Sequence, residues 1–309
     1  MRRRTAVFIC SLIIIANVLG LVLINRFPSY NIRAAENGVL SLADWDTSKK
    51  GLLTAGGTWE FYPGELITPN KEEDTFKQYS HLKRYVKVPD DWRDYEEYTS
   101  NPFHLGTFRL VAELPEDGSF GIISNSIQYS VAVYLNGTRV YDSGLTLKEL
   151  EYLVPSRQSI TGITNSEARQ MEIVIQVADY PGAMGGILHT VKLGTAHELL
   201  RARDLGRAVD FFVISSCIVL GLCLIILYCW RKGTKNSFYF GMFLLMQGIY
   251  ISTIGEKVIT DIISMPRVSM VFYSFQIQIM YLSFFFLLLL INYSFISMQR
   301  ERLLFFSVS

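Results

Sequence analysis

The chain has 309 residues, half of them hydrophobic and 18% charged, with a formal net charge of +1. Soluble domains carry about 25% charged residues, so a wholly soluble protein is excluded, as are a disordered chain and a disulfide-stapled module. The near-zero charge gives no case for nucleic-acid binding.

The first element is an apolar run from Ala6 to Ile24, just after Arg2, Arg3 and Arg4. It nears the ~20 residues of a membrane-spanning helix and exceeds the 7–15 of a signal-peptide core. The nearest small pair, Ala34-Ala35, lies behind Arg26 and Arg33, a poor cleavage site. Residues 1–27 are therefore expected to form a membrane anchor or signal segment, with the uncleaved anchor favoured.

Residues 28–200 read as short strands, because alternation and β-branched content dominate. Expected strands are 58–62, 85–88 ending at Pro89, 106–114 ending at Pro115, 120–124 and 130–135. Asn136-Gly137 follows, then 138–141; this dipeptide between alternating runs signals a tight hairpin. Strict alternation places Met171, Ile173, Ile175 and Val177 on one face of a strand, and 189–193 closes the block. Many short strands with turn signals indicate a β-sandwich or jelly roll.

Residues 201–309 form a partial multi-helix membrane domain. Its apolar runs cover about 209–230, 238–254 and 268–295, and another starts near 303. Each of the three can cross ~30 Å of hydrocarbon at about 1.5 Å per residue. Gln247, Gln276 and Gln278 are polar at depth and are expected to face other helices. The loop 231–235 has three positive charges and no acid, so it stays in the cytoplasm. That places the N-terminus inside and residues 28–207 outside. Residues 30–207 hold 18 basic and 24 acidic residues, a net charge of −6, so the overall +1 hides an acidic domain and basic membrane flanks. All four cysteines, Cys10, Cys217, Cys223 and Cys229, lie in apolar runs and read as small packing residues.

No catalytic or metal constellation stands out, and no cofactor is expected. His81, His104, His189 and His197 lack metal-ligand spacing. A binding site is better supported. Sugars are gripped by aromatic faces and planar polar groups. The segment from Asp90 to Tyr98 mixes both. Trp92 and Tyr95 are candidate platforms, and Arg93, Asp94 and Glu96 candidate hydrogen-bonding groups; Trp92 plugging the core is the competing reading. Arg109 either reaches a ligand or balances an acid.

Two resemblances follow from these residues. Val88-Pro89-Asp90-Asp91-Trp92, then Phe108-Arg109, Tyr134-Leu135-Asn136-Gly137 and Ile173 to Val177, resembles the jelly-roll sugar-binding domain of family 2 glycoside hydrolases. Those enzymes keep their paired carboxylates on a separate barrel, so this chain is expected not to be an enzyme. Gly57-Thr58-Trp59-Glu60-Phe61-Tyr62, with Gly248-Ile249-Tyr250 to Gly255-Glu256-Lys257, is similar to bacterial seven-transmembrane receptors with diverse intracellular signalling modules. This resemblance implies an exported galactose-binding-like sandwich that binds a small extracellular ligand, with carbohydrate as the class implied. It also implies membrane helices in the lipid bilayer of the cytoplasmic membrane, homodimers, and an output module such as a histidine kinase or, less favoured, a diguanylate cyclase. Only three membrane runs follow the β domain, so the chain is expected to be a fragment of such a receptor. The alternative is a membrane-anchored carbohydrate-binding accessory or adhesion subunit without signalling.

Overall fold

A computed structural model describes residues 30–47, 51–70, 74–95, 104–124, 127, 130–143, 160–179, 185–231, 235–254 and 268–308. The expected anchor at 6–24, Glu96 and the loop at 255–267 lie outside the described residues.

Eleven strands come first: β1 (Tyr30–Ala35), β2 (Val39–Ser41), β3 (Leu52–Pro63), β4 (Arg84–Val88), β5 (Leu105–Glu113), β6 (Gly118–Ser124), β7 (Ser130–Leu135), β8 (Thr138–Asp142), β9 (Ile160–Ser166), β10 (Gln170–Ala178) and β11 (Lys192–Thr195). Three helices follow: α1 (Ala196–Arg231), α2 (Lys235–Ile254) and α3 (Val268–Val308). The described residues divide into two compact units that part near residue 203.

The strands form one sheet in the order β8-β7-β10-β5-β3-β11-β6-β9, with β1 and β4 also on β3 and β2 on β5. β3 is long enough to serve two layers. Leu53 and Thr54 pair with β11, whereas Glu60 to Pro63 pair with β5. The sheet folds over onto itself into a sandwich that is barrel-like at its ends: a side chain at Gly162 of β9 would meet Val140 of β8 and Leu135 of β7. Alternation decides which side chains enter the core. Phe61, Phe108, Leu110, Ile173, Ile175 and Val133 project from one layer, and Leu53, Leu193, Phe120 and Ile122 from the other. The hairpin at Asn136-Gly137 is present, with both residues at positive φ, 47° and 71°.

The outer face of the β7-β10-β5-β3 layer is also covered. The segments 64–70 and 74–83, the second with a 3-10 turn at Thr75–Leu82, lay Ile67 and Phe76 over Tyr62, Val174 and Tyr134. Thr107 fixes this strap: its Oγ1 donates to the Glu65 carbonyl (2.7 Å) and accepts from the Ile67 N–H (2.9 Å).

Four strands depart from the sequence expectation. β1, β2 and β9 were not anticipated, and the last strand sits at 192–195 rather than 189–193. The stretch 197–207 is helical: α1 begins directly after β11. Thr195 caps it, accepting the Glu198 N–H (3.4 Å) in a T-x-x-E pattern. Leu199 packs on Leu52 and Ile123.

Candidate functional site

The loop after β4 contains Trp92, Arg93, Asp94 and Tyr95 of the residues singled out from sequence. Asp91 caps a short 3-10 turn at Trp92–Asp94. Its Oδ1 accepts N–H groups from Arg93 (3.0 Å) and Gly185 (3.4 Å). Its Oδ2 accepts from Arg93 Nε (3.0 Å) and Nη2 (2.7 Å). Burial alone would raise the Asp91 pKa, but these donors hold the carboxyl below its usual range. Backbone bonds from Asp90 to Ile187 and from Trp92 to Gly185 clip this loop to the segment at 185–187.

Trp92 is 1% exposed and belongs to the core. Gly185 lies flat on its indole, where any Cβ would collide with the ring. Tyr95 is 7% exposed; its ring meets Phe61 edge-on (5.8 Å), and its hydroxyl donates to the Lys87 carbonyl (3.0 Å). Burial pushes this phenol upward. Neither aromatic face is open to a ligand in this conformation, because both rings are used to seat the loop. Arg93 is exposed, with its guanidinium tied to Asp91.

Arg109 is not part of that loop. It stands on the outer face of β5, opposite Glu60 of β3 and beside Glu172 of β10. Its Nε donates to Glu172 (2.7 Å) and its Nη1 to Glu60 (3.2 Å), while Nη2 lies 3.8 Å from Asp74. The guanidinium also covers the Phe76 ring at 4.5 Å. Glu60 is further bound by Lys83 (3.3 Å) and by the Tyr62 hydroxyl (3.0 Å). Burial alone would lower the Arg109 pKa, but Glu172 and Glu60 raise it. Lys83 behaves in the same way beside Glu60. Tyr62 rises through burial, reinforced by Glu60. With a side chain 19% exposed, Arg109 clasps the strap to the sheet. Of the two roles open at the sequence level, this geometry supplies the acid-balancing one. Glu60, Asp74, Lys83 and Glu172 were not anticipated there. The available signal was outward alternation, which puts 60, 109 and 172 on one sheet face.

Among the described residues, no three His, Cys, Asp or Glu side chains are grouped to hold a metal ion.

In the helical unit α1 and α2 meet through glycine. A Cβ on Gly221 would lie 2.9 Å from the Gly241 carbonyl, and one on Gly241 equally close to that of Gly221. Small residues allow such approach between membrane-type helices. One level of the unit is aromatic: Tyr228 meets Phe238 (5.2 Å), Tyr239 meets Tyr293 (6.2 Å), and Lys235 stands 6.0 Å from the Tyr293 ring centre. Two helical segments, Ala196–Trp230 and Ser274–Ile296, are long and apolar enough to cross a membrane. Gln247 and Gln276 are half-buried, whereas Gln278 is exposed, contrary to its expected inward placement.

No family model matches this chain. No curated protein matches it either. Its β part is similar in structure to several sugar-cleaving enzymes. A family 2 β-galacturonidase from Eisenbergiella tayi, bound to galacturonate, matches 46% of this chain and 24% of its own length, at 12% identity and a TM-score of 0.31. A β-glucuronidase from Ruminococcus gnavus in complex with D-glucuronic acid matches 47% and 29%, at 11% identity and 0.32. The Faecalibacterium prausnitzii β-glucuronidase matches 47% and 31%, at 11% and 0.32. The chain thus spans less than a third of these proteins, and their activities are stated of them. They do correct one expectation. The reading that this chain is not an enzyme is withdrawn, since the structures it resembles are glycoside hydrolases.

Proposed function

We propose that this chain is the sensor part of a bacterial membrane receptor. Its β unit binds a small ligand outside the cytoplasmic membrane, and its helices cross the bilayer and carry the signal to a cytoplasmic module. The observation that carries this reading is the junction at Thr195. β11 lies inside the sheet between β3 and β6, and α1 leaves it without a loop, continuing unbroken for 36 residues, about 54 Å. The first turn of α1 is tied to the sheet by the Thr195 cap and by Leu199 against Leu52 and Ile123, so a strain in the sheet reaches that turn directly. Large apolar side chains on the exterior of α1 and α3, and the aromatic and basic level at Tyr228, Lys235, Tyr239 and Tyr293, support a bilayer around the helices. The charge bias of the 231–235 loop supports placing that level at the cytoplasmic side, with the β unit exported.

Carbohydrate is the first ligand class to test, because of the resemblance to jelly-roll sugar-binding domains. Arg93 and Asp94, exposed on the loop that Trp92 and Tyr95 anchor, are the proposed contact groups. A histidine kinase is the favoured output on the receptor resemblance.

The test uses the full chain in lipid nanodiscs. A glycan panel is screened by thermal shift, and hydrogen exchange is then followed in β11 and the first turns of α1. A hit that changes protection at 196–207 is the expected outcome. A panel without hits would remove the sugar reading. A hit that leaves α1 unchanged would favour an anchored binding subunit without signalling.

A further inference from the structure

The charge of the β unit is unevenly spread. From Thr75 to Pro89 the chain carries Lys77, His81, Lys83, Arg84 and Lys87, and no acid. The rest of 30–207 holds 14 basic and 24 acidic residues, a net charge of −10. The fold sets the basic run on the 3-10 turn Thr75–Leu82 and on β4. Lys77, His81, Arg84 and Lys87 are exposed. Val86 and Val88 enter the core, so Tyr85 and Lys87 point outward, and Tyr85 is 48% exposed. Lys83 stands 5.5 Å from the Tyr85 ring centre. The acids nearest this run are turned to other donors. Asp74 caps the turn, accepting the Phe76 N–H (3.2 Å), and faces Arg109 (3.8 Å). Glu60, opposite Tyr85 in register, is held by Arg109 and Lys83. Asp91 is held by Arg93.

Basic residues also guard open strand edges against pairing with other chains. Among the described residues β4 pairs with β3 alone, so Arg84 and Lys87 have that use. It does not account for Lys77 and His81, which lie on the turn. A half-exposed tyrosine on an open edge works against it.

We propose that the turn 75–82 and β4 form a docking surface for an acidic polysaccharide, a partner separate from the small ligand proposed for the Arg93 loop. Its sugar rings stack on Tyr85, and its anionic groups pair with Lys77, Arg84 and Lys87. From Arg84 to Lys87 the strand covers ~10 Å, at about 3.3 Å per residue, so the charges follow a line that an extended polymer can track. The acidic remainder of the β unit repels such a polymer and confines it to this strip. The inference rests on neither signalling nor membrane crossing.

The test uses the full chain in phosphatidylcholine nanodiscs, with fluorescein-labelled dextran sulfate, alginate and neutral dextran followed by anisotropy. Binding of both acidic polymers and not of dextran is expected, weakened about tenfold as salt rises from about 50 to 300 mM. Lys77→Gln combined with Lys87→Gln should weaken it about tenfold with Tm unchanged. Tyr85→Ala should weaken it about fivefold at constant charge. Arg139→Gln combined with Arg169→Gln removes the same charge elsewhere on the β unit and should change it less than about twofold. Absence of binding at low salt, equal binding of dextran, unchanged binding of Tyr85→Ala, or equal losses in the two pairs would overturn the docking surface. Capture of the nanodiscs by phosphatidylglycerol vesicles without polymer binding would give the patch to lipid head groups and overturn it as well. A small-ligand hit that Arg93→Ala abolishes stands whatever these polymers do, so the two readings fail separately.

Discussion

The two units of this molecule sort their apolar side chains in opposite directions. In the β unit Trp59, Phe61, Phe108, Leu110 and Ile173 are at most 1% exposed. In the helical unit Ile279 is the one large apolar side chain that is fully buried among the described residues, while Val219 is 58% and Leu288 64% exposed. Burial of apolar area stabilises the first in water at about 25 cal/mol per Å². The second leaves its apolar side chains outward, as the proposed bilayer would require, and its helices touch where glycine allows it, at Gly221 and Gly241. On the proposed receptor reading one chain serves two solvents, and substitutions should separate them.

The largest effect is expected in the β core. Trp92→Ala should cost about 3–5 kcal/mol in denaturant unfolding of the β unit, as large-to-small aromatic truncations do. A cost below ~0.5 kcal/mol, ordinary for a surface site, would mean that Trp92 is an exposed platform after all. Next comes the opposite surface. Val219→Arg should cost about 2.5–3.5 kcal/mol in membrane insertion, read from the inserted fraction of α1. On a water-facing helix the same change would stay within ~0.5 kcal/mol.

The third prediction concerns the clasp. Arg109→Met leaves Glu60 and Glu172 without their shared donor and should cost about 1.5–3 kcal/mol, with faster hydrogen exchange across 64–83. Arg109→Lys should not restore it, because an ammonium lacks the planar fork that reaches two carboxylates. A smaller effect is expected at the junction: Thr195→Ala removes the α1 cap and should cost about 1 kcal/mol, seen first as faster exchange at the amide of Glu198.

The smallest effects are in pH dependence. Asp91 has a lowered folded pKa, so its share of stability is present above about pH 4 and fades as pH falls through the folded value. Lys83 has a raised one, so its share is present below about pH 10 and is lost as pH rises through the folded value. Arg93→Ala should flatten the acid limb of a Tm-versus-pH curve and leave the alkaline limb unchanged.

Legibility in the sequence followed the range of the interaction. Alternation in β10 is local, and it set Met171, Ile173, Ile175 and Val177 on one face, which is the core face. The Asn136-Gly137 turn is local as well. β1 and β2 carry weak patterns and exist because distant strands accept them in parallel register, β1 on β3 and β2 on β5. β9, with the sequence ITGITNS, is half polar and was passed over for the same reason. The candidate site failed to read out in a similar way. Trp92 and Tyr95 look like ligand platforms until Gly185 and Phe61 arrive from other parts of the chain to cover them. Arg109 meets its acids across 49 and 63 residues of sequence, and strand register alone brings them together.

The inversion between the two units can be tested in one labelling experiment on intact cells. Single cysteines at Thr138 of β8, Val219 of α1 and Leu288 of α3 are exposed to an impermeant maleimide, in a background without native cysteines. Labelling is expected at 138, with protection at 219 and 288 that is lost only on denaturation. Labelling of 219 and 288 in intact cells, or protection of 138, would contradict it.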